Sequence, residues 1–203
     1  MAIFKPFRAF RPISNKAKEV AAYPYDVVNS EEARAIVKDN PISFLRVGKP
    51  EVDLDPNISL YDPKVYQKGK ENLQRLIDEK ILVEDQSPNY YVYSLTMNGR
   101  TQNGLVGCAS VDDYWNDVIK KHEHTRKQKE EDRCEHVRVT NAHTGPIFLT
   151  YKDVKEISDL VERIKKNAPD NDHVADDGIR HQTWLISNKD DIEFIQNKLA
   201  RTK

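Results

Sequence analysis

Tyr90 to Met97 alternates between two faces and runs straight into Asn98-Gly99. Tyr91, Tyr93, Leu95 and Met97 share one face, the period-two pattern of a half-buried strand. Asn and Gly both tolerate φ > 0, which a tight hairpin turn demands. The chain is therefore expected to double back here as an antiparallel pair, with Gly104 to Val111 returning. The small residues Gly104, Gly107 and Ala109 point to close packing against something bulky. An antiparallel hairpin among interspersed helices and strands favours an α+β (mixed α/β) fold. Its sheet is mixed and partly antiparallel with packed helices, not doubly wound and parallel.

The other elements are read in the same way. Ile3 to Phe10 is a strand broken by Pro6, hence an edge or a bulge. Ser30 caps a short helix with Ala33, Ile36 and Val37 inward. Ser43 to Val47 reads as a short buried strand, and Asp62-Pro63 as the N-cap and first residue of a helix carrying Tyr66, Leu73, Leu76, Ile77 and Ile81 on one face. Trp115, Val118 and Ile119 make a helical face, and Thr125 opens a highly charged helix running to about Cys134. Pro146 to Tyr151 reads as a buried strand. Val154, Ile157, Leu160, Val161 and Ile164 define a helix, His181 to Ser187 a strand and Asp191 to Leu199 a last helix. The whole chain, 1–203, reads as one domain, weakest near 167–177, where it is polar, acidic and Pro-containing.

Composition narrows the function classes. With 32% charged and 38% hydrophobic residues and a net charge of −1, no global field draws the chain to nucleic acid or to an anionic membrane. The two cysteines, Cys108 and Cys134, cannot make a disulfide framework, so a reducing compartment is expected. No apolar run reaches membrane-spanning length and no continuous apolar segment near the N-terminus resembles a secretion signal. Cytoplasmic localisation is the expectation.

Four clusters carry possible chemistry. In Lys120 to Arg133, Thr125 with Gln128 matches a capping box, so Thr125 satisfies backbone donors on the bland reading. On the functional reading that helix start is an anion site, with Arg126 and Lys127 adding charge. His122 and Glu123 then lie where a general base or a Mg2+-binding carboxylate would reach a substrate. The His122-Glu123-His124 run lacks the spacing of a zinc-protease site. The second cluster is Lys5, Arg8, Arg11, Lys16 and Lys18, with no acid before Glu19: an anion-binding edge or a solvated strand. In Tyr23-Pro24-Tyr25-Asp26, Asp26 is a turn residue or a catalytic or metal-binding carboxylate. In Thr140 to Pro146, Asn141 and Thr144 either meet a ligand or satisfy the turn backbone. Cys108, in a run of small residues, reads as buried filler rather than as a nucleophile. Trp184 reads as core, and His181, on the opposite face of the same strand, has no evident partner.

An ordered series of boxes resembles a prokaryotic family, domain-of-unknown-function family ten-fifteen. It runs through Lys5-Pro6-Phe7-Arg8, Arg11-Pro12, Pro24-Tyr25-Asp26-Val27, Pro41 with Ser43-Phe44-Leu45, and Tyr91-Val92-Tyr93. It continues with Gly104-Leu105-Val106-Gly107, Lys121-His122-Glu123 with Thr125, Asp132-Arg133, Asn141-Ala142, Gly145-Pro146-Ile147 and Gly178 to Trp184. The resemblance spans essentially the whole chain.

That resemblance implies several expectations. Family members are about twice as long and carry a later Asp-Gly-His-His-Arg box, similar to an element of ParB/sulfiredoxin-like proteins that include kinases of free serine. The chain is accordingly expected to be the N-terminal half of the family domain, its C-terminal half a missing partner. The implied activity is phosphoryl transfer between a nucleotide (ADP or ATP, with Mg2+) and serine or phosphoserine. Its implied residues are Glu123 as base or Mg2+ ligand, His122 in support, and Asp26 as a second carboxylate. Lys5, Arg8, Arg126 and Arg133 would take phosphate. The alternatives are a non-catalytic ParB-like nucleotide- or DNA-binding module, against which the balanced charge argues, or charged clusters that are only solvated faces.

Overall fold

A computed structural model describes residues 2–122 and 124–201. The chain order is β1 (Phe4–Lys5), β2 (Phe10–Pro12), α1 (Ala17–Val20), α2 (Ser30–Val37), α3 (Leu45–Gly48), α4 (Pro63–Asp78), β3 (Leu82–Glu84), β4 (Tyr90–Met97) and β5 (Arg100–Val106). It continues with β6 (Cys108–Ala109), α5 (Val111–Trp115), α6 (Lys127–Thr140), α7 (Lys155–Ile164), β7 (Asn171–Val174), β8 (Arg180–Ile186) and α8 (Lys189–Leu199). Short 3-10 turns occupy Ser14–Lys16 and Pro50–Asp53. The fold is α+β. Two compact units share the chain: Met1–Ser14, Val83–His122 and Leu149–Lys203 form the first, Asn15–Leu82 and Glu123–Phe148 the second. Segment 167–177 lies within the first unit and supplies β7.

The first unit is built on the hairpin. Met97 pairs with Arg100 across Asn98 (φ 51°) and Gly99 (φ 75°), both left-handed, as a type I′ turn requires. The sheet order is β5-β4-β8-β7, antiparallel at every pairing. Tyr90 and Val92 of β4 and Trp184 and Ile186 of β8 pack with Ile157, Leu160, Val161 and Ile164 of α7 and Ile195 of α8. Each such side chain contributes roughly 1.5–3 kcal/mol on burial. Trp184 satisfies its indole N–H on the Asn167 carbonyl at 3.0 Å. β1 pairs with β6, and Phe4 stacks on Tyr90 with ring centroids 5.1 Å apart. Gly107 makes this approach possible: a Cβ there would lie 2.5 Å from Phe4 Cζ and 2.8 Å from Tyr90 Cε1. The bulky neighbour expected from the small residues is thus this aromatic pair.

The second unit packs helices around α4. Asp62 caps α4 by accepting from the Lys64 N–H at 2.8 Å, with Pro63 at the first position. Leu73 and Leu76 join Val20, Val47 and Leu82 in one cluster, while Ala33, Val37, Leu45 and Val52 form another. Among the described residues no helix is long and apolar enough to cross a membrane.

Five expectations are corrected. Ser43 to Val47 is helical at α3, not a strand: Leu45 and Val47 point into different clusters, as residues about 200° apart around a helix do, whereas residues two apart on a strand would share one face. The cap of α2 is Asn29, one residue earlier than Ser30, in a reciprocal box with Glu32. Pro146 to Tyr151 is neither strand nor buried; Ile147 and Phe148 are 78% and 71% exposed. The face of Trp115 and Val118 is likewise exposed, and α5 ends at Trp115. Cys108 is exposed rather than core filler.

Candidate functional site

Helix α6 is charged on most of its circumference, yet it buries a polar row. Asp132, His136 and Thr140 recur every four residues and so share one face. Such a row is tolerable only if each group is hydrogen-bonded. The Asp132 carboxylate, in a residue 8% exposed, accepts from the Tyr66 hydroxyl of α4 at 3.0 Å through Oδ1. Its Oδ2 accepts from Arg133 Nε at 3.0 Å and Nη2 at 2.8 Å. Burial, helped by the hydrogen bond and charge of Asp132, pushes the Tyr66 phenol up to about 12, so it stays a donor at neutral pH. The Arg133 guanidinium lies over the Tyr25 ring, 4.2 Å from carbon to centroid.

One turn further on, His136 is 1% exposed and donates from Nε2 to the Val47 carbonyl at 2.8 Å. Burial pushes its imidazole below the ordinary range, so it is neutral. Its Nδ1 then accepts from the Thr144 hydroxyl at 3.4 Å. Gly69 of α4 makes room for the Nε2–Val47 bond: a Cβ there would meet Pro50 Cγ at 2.9 Å, the Val47 carbonyl oxygen at 3.3 Å and His136 Nε2 at 3.4 Å. Thr140 bonds back to the His136 carbonyl at 2.7 Å. Asn141 ends the helix in the left-handed conformation, φ 53°, donating its N–H to Val137. Alongside, an open groove of about 810 Å3 is lined by Tyr61, Tyr66, Lys127, Asp132, Glu135 and Arg138, among others.

The residues singled out in the sequence fall in both units. In the second, Asp26 is exposed in a turn closed by Val27 N–H on the Pro24 carbonyl at 3.2 Å, next to Tyr25. Arg133 reaches that turn through Tyr25, so the Tyr25-Asp26 and Asp132-Arg133 boxes come together. α6 begins at Lys127, not at Thr125; its N-cap is Arg126, with no side-chain cap, and the expected Thr125 capping box does not form. In the first unit, Lys5 is exposed on β1. Arg8 pairs with Glu84 at 2.8 Å and donates to the Asp85 carbonyl at 2.9 Å. His122 is exposed, and Glu123 lies outside the described residues. Among the described residues no three His, Cys, Asp or Glu side chains are grouped to hold a metal ion.

Sequence reasoning missed Tyr66, Tyr25 and His136 as parts of one cluster. Tyr66 lies on the apolar face of α4, where its ring packs and only its hydroxyl takes part. His181 also has a partner the sequence did not reveal: the Tyr93 hydroxyl lies 2.7 Å from its Nδ1.

No curated protein and no solved structure matches the chain. A family model described as "Protein of unknown function (DUF1015)" matches residues 4–203.

Proposed function

The chain belongs to the DUF1015 family, and from that premise we propose that it serves phosphoryl transfer between a nucleotide and serine or phosphoserine in the cytoplasm. The carrying observation is Arg133, a guanidinium gripped by Asp132 and laid over Tyr25. Phosphoryl transfer asks the protein chiefly for positioning and charge neutralisation, and a planar guanidinium suits a phosphate. Asp132 takes the Nε–Nη2 edge; the Nη1–Nη2 edge is the one a phosphate would take. Asp26, in the same turn as Tyr25, is the carboxylate for the hydroxyl proton. Arg126 and Thr125, at a helix start without a side-chain cap, favour a second phosphate group through backbone amides and dipole. Asn141 is a further polar contact in the same unit; the phosphate role of Lys5 and Arg8 rests on the sequence resemblance. Mg2+, when bound, neutralises charge on phosphate oxygens. Its assignment to Glu123, with His122 in support, rests on the sequence pattern.

The test is phosphate exchange between phosphoserine and ADP with Mg2+, followed by 31P NMR, alongside calorimetric titration of each ligand. Arg133→Ala should lower the rate about 10²–10³-fold, as loss of one oxyanion donor does; because it also strips Asp132 Oδ2 of its donors, the rate is read at a temperature where circular dichroism shows the variant folded. An Arg133→Ala protein as active as the parent removes the assignment. Saturable nucleotide binding with no exchange would favour a binding module instead.

A further inference from the structure

The Arg133 neighbourhood specifies more than a positive charge. Asp132 has two carboxylate oxygens, and each is spoken for by a different element. Oδ1 accepts from Tyr66 on α4, and Oδ2 accepts both Nε and Nη2 of Arg133. The carboxylate plane is therefore fixed from α4, and the guanidinium is fixed by the carboxylate. The Tyr25 ring covers one face of that guanidinium, so an anion approaches in the guanidinium plane rather than from the Tyr25 side. In-plane approach to a guanidinium edge is the geometry of bidentate oxyanion recognition.

We propose that Tyr66 and Asp132 are positioning residues that hold Arg133 edge-on for a phosphomonoester. This rests on the assignment of Arg133 to phosphate made above. It says that Asp132 helps an anion bind although it carries the same charge as the anion. Without the Tyr66 hydroxyl the carboxylate loses one of its two anchors. Arg133 then samples other rotamers, and ordering it again weakens binding.

The sign of one substitution separates this role from simple electrostatics. Asp132→Asn keeps the side-chain size and removes a negative charge a few ångströms from the bound anion. If Asp132 acted only through its field, O-phosphoserine would bind more tightly. As a positioning residue, its loss should weaken binding about tenfold, even so. Tyr66→Phe, which deletes only the hydroxyl, should weaken O-phosphoserine binding by a similar factor in the parent. In an Arg133→Lys background it should have less than about a twofold effect, because its effect passes through Arg133.

Affinities come from calorimetry on the full chain, with circular dichroism confirming the fold of each variant. Tighter binding by Asp132→Asn overturns the proposal. So does a Tyr66→Phe effect that is absent, or equal in both backgrounds. If Tyr66→Phe fails to fold, the direction of the Asp132→Asn change decides alone. Should Arg133→Ala bind O-phosphoserine as the parent does, or the parent not bind it, both this proposal and the phosphate role of Arg133 fall. Sensitivity at Arg133 with silence at Tyr66 and Asp132 removes only the positioning role.

Discussion

His136 sits in the second unit with almost no solvent contact, and its protonation state is coupled to folding. Burial lowers its pKa; the nearby Arg133 charge also lowers it, and the Val47 hydrogen bond and Asp132 oppose both. A base whose folded pKa lies below its unfolded value binds fewer protons when folded. Its stabilising contribution is complete above the unfolded value of about 6.5 and is lost as pH falls through the folded value. Thermal unfolding should therefore show lower stability at pH 5 than at pH 7.5. His136→Gln, which keeps a donor for Val47, should flatten that dependence. An unchanged slope would mean that other histidines carry it; His181, also depressed by burial, is the first alternative. At this scale the sequence was least informative. Asp132-Arg133 and Tyr25-Asp26 stand out as separate boxes, but no periodicity indicates that a guanidinium from one covers a ring from the other. His136 looked like one more polar residue in a charged stretch.

Elements with strong local signals were legible, and those whose burial depends on distant partners were not. β4 and its turn follow from period-two alternation and from two residues that accept positive φ. α7 is recognisable because Ile157, Leu160, Val161 and Ile164 define one face. α6 defied the same reasoning: its inward row is Asp132, His136 and Thr140, so no apolar stripe announces which face is buried. α3 was misread because a short apolar run does not distinguish strand from helix. α2 illustrates how local a helix boundary is. The Asn29 side chain accepts from the Glu31 and Glu32 amides, both at 2.9 Å, and Glu32 returns a bond to the Asn29 N–H at 2.8 Å. Asn29→Ala should cost about 1 kcal/mol, read from urea unfolding. Ser30→Ala, which removes the residue first expected as the cap, leaves that box intact and tests instead the Ser30 hydrogen bond to Glu51 at 2.8 Å.

At the scale of the molecule, neither unit is a continuous stretch of chain. No composition shift marks their limits, because the chain leaves and re-enters each through ordinary connections, and the boundary between units falls inside β3. The first unit's core shows the dependence clearly: only Tyr90 and Val92 of its buried cluster precede Leu149. A chain ending at residue 148 keeps the β4–β5 hairpin sequence but loses α7, β8 and α8. Isolated two-stranded hairpins are marginal in water. Amide exchange in β4 should accordingly lose its protection in that shortened chain, while the full chain retains it. Persistent protection would show that the hairpin has another source of stability.

The pairing of Phe4 with Ala109 also sets a clock for synthesis. A ribosome adding residues one at a time must make about a hundred more after Phe4 before its partner exists, a wait of roughly 5–20 s at ordinary elongation rates. For most of that interval Phe4 and Phe7 ride on the nascent chain before the aromatic rings they later meet, Tyr90 and Tyr91, have been made. Cellular factors that shield nascent apolar segments have their longest opportunity there.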